Sequence, residues 1–140
     1  MMRYLIALLA LAGVVVSILG LQVHYSTKTQ PCSINEKWDC GVVNHSPFAE
    51  IEHVPVAAIG ILGYLALAAL AMMRQRYLLF LFTLVGLGFA LRLTFIEEFA
   101  LETWCLYCVA SQTIIAVITL LSLGWFTQEY VGLKRTRRGA

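Results

Sequence analysis

The chain has 140 residues, of which 60% are hydrophobic and 13% are charged. Soluble domains are typically about 45–50% apolar and about 25% charged, so this composition excludes an ordinary soluble globular protein. The formal net charge is only +2, but the basic residues are concentrated in a few short segments.

Four long apolar segments run through the chain, and each is long enough to cross a bilayer as a helix. The predicted spans are 4–23, 55–73, 77–96 and 104–126, with an outer loop at 24–54. Helices are predicted because an open strand would leave unpaired backbone groups in hydrocarbon. The first segment begins like a signal peptide but is longer than most, so we predict a retained helix. The sequence thus predicts a single all-α domain, an integral membrane four-helix bundle with a cysteine-containing outer loop.

The charged residues predict the topology of the bundle. Basic side chains cluster at the start of the chain, between the second and third spans, and at the end: Arg3, Arg74, Arg76, Lys134, Arg135, Arg137 and Arg138. By the positive-inside rule, both termini are cytoplasmic, and the loop at 24–54 faces the periplasmic side of an inner membrane. The basic tail directly follows a span, so anionic lipid headgroups are a better partner for it than nucleic acid. Arg92 lies within the third span, and we expect its side chain to extend outward toward Glu97 or Glu98.

All four cysteines fall on the predicted outer side, where disulfides can persist. Cys32 and Cys40 lie in the loop. Cys105 and Cys108 form a C-x-x-C motif at the start of the fourth span, where a helix N-terminus favours the thiolate that attacks in thiol–disulfide exchange. The pattern favours a redox relay between the two pairs. Structural disulfides, a zinc or other soft-metal site, and inert packing cysteines remain open as alternatives.

This arrangement resembles the vitamin K epoxide reductase family in its bacterial form. The resemblance rests on the seven residues between Cys32 and Cys40, on Ser46 six positions after Cys40, and on the C-x-x-C motif at the last span. It implies a four-helix bundle around a quinone pocket and a thioredoxin-like electron donor. No metal site is predicted. Because no thioredoxin-like segment follows the fourth span, we expect that donor to be a separate periplasmic protein.

The resemblance also implies a role for each matching residue. Cys32 is expected to exchange with the donor protein, and Cys40 to relay electrons to Cys105. Cys108 is expected to pass those electrons to the quinone. Ser46 is expected to hydrogen-bond near the reacting quinone or sulfur, although a serine before a proline is also a common turn residue.

The predicted contacts of the quinone, either ubiquinone or menaquinone, are Cys108, Gln112 and Val56. Animal members of the family carry a tyrosine at the position of Gln112, so the resemblance favours quinone reduction over reduction of vitamin K epoxide. Gln112 lies one helical turn after Cys108, on roughly the same face. From there it can donate a hydrogen bond to a quinone carbonyl or bond to a neighbouring helix.

The predicted function is a quinone-dependent thiol oxidase that supports disulfide bond formation. It would pass electrons from a periplasmic thioredoxin-like protein through two cysteine pairs to a membrane quinone. A DsbB-type oxidase has the same chemistry but carries its C-x-x-C pair in the first outer loop, the reverse of the order here. A soft-metal-binding or transport membrane protein, and a purely structural membrane subunit, are the alternatives of a different class.

Overall fold

The structure is a computed structural model, and it describes residues 2–25, 38, 47, 50–102 and 104–139. Within these residues the chain forms four α-helices: α1 (Met2–Tyr25), α2 (Val56–Met72), α3 (Arg76–Ile96) and α4 (Leu106–Gly139). A π-helical segment, Glu97–Leu101, continues α3 toward α4. A short antiparallel hairpin of β1 (Glu50–Ile51) and β2 (Val54–Pro55) precedes α2. The predicted all-α membrane bundle is confirmed.

The helices pack as a bundle in which α1 contacts α2 and α4, while α3 contacts α4 and α2. Large apolar side chains also cover the outside of every helix. Leu8, Leu62, Val85 and Leu120, one from each helix, are 65%, 69%, 73% and 69% exposed. Such a surface is unsuited to water but matches lipid hydrocarbon. The buried core is a smaller set: Ile6, Ala10, Tyr64, Leu67, Ala71, Leu79, Ile115, Ile118 and Trp125.

Three of the helices are long and apolar enough to cross a membrane, namely α1, α3 with its π-helical extension, and α4. Helix α2 is apolar but has only 17 residues. At about 1.5 Å per residue it is about 26 Å long, at the lower end of what spans a bilayer.

Helix α4 continues well beyond residue 126, where the sequence predicts the span to end. Its 34 residues make it about 51 Å long, more than the roughly 30 Å of a hydrocarbon core. The guanidinium of Arg76, the first residue of α3, lies 4.8 Å from the ring of Trp125 and 3.7 Å from the Glu129 carboxylate. The N-terminal end of α3 therefore lies level with residues 125–129 of α4. The basic residues that follow project past the bundle as a continuous helix.

The turn between α2 and α3 closes with the hydrogen bonds of a Schellman motif. The Gln75 N–H bonds the Leu70 carbonyl at 3.0 Å, and the Arg74 N–H bonds the Ala71 carbonyl at 3.2 Å. Arg74 has a φ of 59°, a left-handed conformation that usually requires glycine. The turn is short because the motif reverses the chain directly, so α2 and α3 lie antiparallel.

Candidate redox site

The cysteines of the C-x-x-C motif lie at the N-terminus of α4. The Cys105 carbonyl accepts the first helical hydrogen bond, from the Val109 N–H at 3.0 Å, so Cys105 is the N-cap residue. Cys105 is fully buried and packs against Val23 near the end of α1, while Cys108 is half-buried. The start of a helix favours thiolate over thiol, and the thiolate is the form that attacks in thiol–disulfide exchange.

An acidic side chain reaches both cysteines from the end of α3. Glu97 is 3% exposed, and its Oε2 accepts a hydrogen bond from the Cys105 N–H at 3.3 Å. The same carboxyl group lines the same cavity wall as Cys108, close enough for the two side chains to interact. Among the residues that the structure describes, Glu97 is the only buried one of the types Asp, Glu, Lys and Arg. A buried carboxyl group needs partners of this kind, and here the partners are the redox pair.

The position of Glu97 beside the cysteines was not predicted from the sequence. Glu97 and Glu98 were expected as partners of Arg92, but Arg92 is exposed and forms no ion pair with either. A signal was present, because Glu97 follows an apolar span only eight residues before Cys105. The signal was ambiguous because Glu98 is adjacent, and only the tertiary structure shows that Glu97 is the buried one of the two.

A cavity of about 380 Å³ opens beside the cysteines, between the four described helices. Its wall is predominantly apolar, and it includes the three residues predicted to contact a quinone: Val56, Cys108 and Gln112. Glu97 and Tyr107 also line it. Small-molecule pockets in proteins have volumes of roughly 300–1,000 Å³ and are mainly apolar with a few polar groups. The cavity therefore has the size and character needed to bind a small apolar ligand.

Hydrogen bonds between neighbouring helices fix the polar side chains of the cavity wall in two places. The Tyr64 hydroxyl on α2 lies 2.7 Å from the Ser111 carbonyl oxygen and 2.8 Å from its Oγ on α4. The Thr94 hydroxyl on α3 donates to the Gln112 Oε1. Gln112 therefore bonds a neighbouring helix and also faces the cavity. Its amide N–H groups are the donors that a ligand carbonyl could use.

Trp38 lies beside the start of α4. Trp38, from the loop, forms an isolated parallel β-bridge with Trp104, and their ring centroids are 6.2 Å apart. The predicted site residues Cys32, Cys40 and Ser46 lie outside the described residues.

Within the described ranges there is no group of three or more His, Cys, Asp and Glu side chains that could hold a metal ion.

The site is thus a cysteine pair beside an apolar cavity, inside a bundle of apolar helices typical of a membrane protein. The model of the vitamin K epoxide reductase family matches residues 4–123, which is most of the chain. The chain therefore belongs to the vitamin K epoxide reductase family, whose members are in general quinone-linked thiol oxidoreductases. No curated protein matches the sequence.

Proposed function

We propose that this protein is a quinone-dependent thiol oxidase that supports disulfide bond formation. The observation that carries the proposal is the position of Cys108, on the wall of the apolar cavity and hydrogen-bonded to the buried Cys105. One thiol of the pair thus faces a ligand site, and the other is buried beside the end of α1. A pair in this position can pass electrons to a ligand bound inside the bundle.

The proposed electron path begins at a separate thioredoxin-like protein and enters through Cys32 and Cys40. Support comes from the bridge between Trp38 and Trp104, because Cys40 follows Trp38 by two residues and Cys105 directly follows Trp104. Consecutive Cα atoms are about 3.8 Å apart, and a two-residue separation from Trp38 is the basis on which we propose that Cys40 reaches Cys105. In each transfer, two thiols become one disulfide while the accepting disulfide becomes two thiols.

The residues of the cavity fit a quinone headgroup. Val56 supplies apolar wall, Gln112 supplies N–H donors for a carbonyl, and Cys108 supplies the reacting sulfur. The quinone, when bound, supplies the oxidising power and takes up two electrons and two protons. We further propose that Ser46 contributes a hydrogen bond at this site.

The proposed topology has four spans, with α2 as a short one, and both termini in the cytoplasm of a cell with an inner membrane. The basic ends of the chain support it, because Arg76 and the tail at 134–138 lie at the end of the bundle opposite Cys105. The cysteines would then face the periplasm, which is oxidising.

The proposal is tested with the purified protein in liposomes that contain ubiquinone or menaquinone. Addition of a reduced thioredoxin-like protein, or of dithiothreitol, is expected to convert quinone to quinol, as followed by ultraviolet absorbance. A Cys40→Ala variant is expected to trap a mixed disulfide between Cys32 and the donor protein. If the wild-type protein reduces neither quinone with either donor, the proposed function is wrong.

Replacing Gln112 with leucine is expected to raise KM for the quinone about five- to tenfold, with kcat little changed. The reason is the loss of one hydrogen bond to the ligand carbonyl, worth about 1 kcal/mol. Thr94 then still has the Ala90 carbonyl as an acceptor at 3.0 Å, so α3 is little disturbed. The matched control is Thr113→Val, on the exposed face of the same helix. An unchanged KM for the Gln112→Leu variant would show that Gln112 only joins α3 to α4.

A further inference from the structure

Glu97 is a carboxyl group with an unusual set of surroundings. It is buried at the end of α3, lines the cavity, and contacts both members of the cysteine pair. The nearby basic side chain on α3, Arg92, is exposed and does not pair with it. A buried carboxyl group held against thiols in this way can accept a proton from one of them.

We propose that Glu97 is a catalytic residue that takes the proton of the Cys108 thiol and passes it into the cavity. The inference rests on the proposed function, because the proton's destination is the quinone. It goes further by assigning the proton transfer to one side chain. The geometry supports it, because Glu97 is buried, accepts a hydrogen bond from the Cys105 N–H, and lines the same cavity wall as Cys108.

In the proposed step, the Cys108 S–H bond breaks and the proton moves to the Glu97 carboxylate, which leaves a thiolate at Cys108. The Cys105–Cys108 disulfide then forms, and two electrons pass to the quinone. One of the two protons that the quinone takes up comes from Glu97, which returns to its carboxylate form. The second proton that the quinone takes up comes from water. The proton that Cys105 releases on ionisation goes to water, so the number of protons balances.

A purely structural role for Glu97 makes a different prediction. Its Oε2 accepts the Cys105 N–H bond, and the amide oxygen of a glutamine can accept the same bond. A Glu97→Gln variant therefore keeps this contact but loses the ability to take a proton. A purely electrostatic role is also distinguishable. A carboxylate disfavours a neighbouring thiolate, so removing its charge would make Cys108 more reactive.

The first measurement is quinone reduction by the Glu97→Gln variant in liposomes. General acid–base catalysis typically contributes 10²–10⁴-fold, so the rate is expected to fall by about 10²-fold or more. Glu97→Asp is expected to recover part of that loss because it restores a carboxylate. The matched control is Glu98→Gln, at the exposed neighbouring position, which is expected to behave like the wild type.

The second measurement needs no quinone. Cys32, Cys40 and Cys105 are changed to serine, and the reaction of the remaining Cys108 thiol with dithiodipyridine is timed in stopped flow. The Glu97→Gln change is expected to slow this reaction about tenfold or more, because the thiol has lost its proton acceptor.

The two measurements separate the possible failures. If the wild type reduces no quinone, the proposed function is wrong, and the exchange reaction still tests Glu97. If Glu97→Gln reduces quinone at a rate within twofold of the wild type, the proton-transfer role is overturned. The same holds if the variant reacts faster with dithiodipyridine, since that outcome marks an effect of charge alone.

Discussion

Replacement of Cys108 by alanine is expected to abolish quinone reduction, with a loss of roughly 10³-fold or more in kcat. The reason is that Cys108 is the thiol of the described pair that lines the cavity, whereas Cys105 is fully buried beside it. Cys105, the other cysteine that the structure describes, cannot take its place without moving the start of α4. The variant is assayed in liposomes with dithiothreitol as donor, by the absorbance change of the quinone.

The control for this loss is Thr113→Ala, one turn further along the exposed side of α4, which is expected to keep full activity. Circular dichroism of both variants checks that the bundle is intact. Reduction of quinone at a wild-type rate by Cys108→Ala would show that another group passes the electrons, and the residue roles proposed above would have to be abandoned.

Replacement of Gly13 by alanine is expected to lower the free energy of unfolding by about 1–3 kcal/mol, the usual cost of overpacking. A Cβ added at Gly13 would lie 2.5 Å from the Tyr64 Cδ1 and Cε1 atoms and 2.6 Å from Cζ. The ring cannot move away freely, because its hydroxyl is hydrogen-bonded to Ser111 on α4. A new methyl group therefore separates α1 from α2 or breaks the bonds between α2 and α4.

Gly124→Ala is the matched control for this prediction. An added Cβ at Gly124 meets nothing within 4 Å, so the same chemical change occurs without a clash. Since alanine is the better helix former by about 1 kcal/mol, the control is expected to be as stable as the wild type or slightly more stable. Thermal unfolding in detergent measures both variants. Equal midpoints for Gly13→Ala and Gly124→Ala would mean that the contact between α1 and α2 is looser than the structure describes.

The sequence was most informative about the helices and about the thiols that begin α4. Apolar segments of this length admit only helices in a bilayer, because helices satisfy their own backbone hydrogen bonds. The residues predicted to contact a quinone, Val56, Cys108 and Gln112, do share one cavity. The roles of Cys32, Cys40 and Ser46 stay predictions, because these residues lie outside the described part of the chain.

The sequence was less informative about contacts between distant residues and about where the last helix ends. The pairing of Trp38 with Trp104 joins residues far apart in the chain, and no local pattern predicts such a contact. Helix α4 continues beyond residue 126, where the predicted membrane span ends, and its last part is a basic segment. Apolar length predicts where a helix enters lipid, but it does not predict where the helix stops.

By itself, the sequence determined that this chain is a helical membrane protein with a C-x-x-C pair opening its last helix. Those features depend on local composition and on the cost of unpaired backbone groups in hydrocarbon. Only the tertiary structure decided that Glu97 rather than Glu98 reaches the cysteines and that Tyr64 fills the space left by Gly13. Such choices depend on how neighbouring helices rotate and pack, and distances between helices are not encoded by any one segment alone.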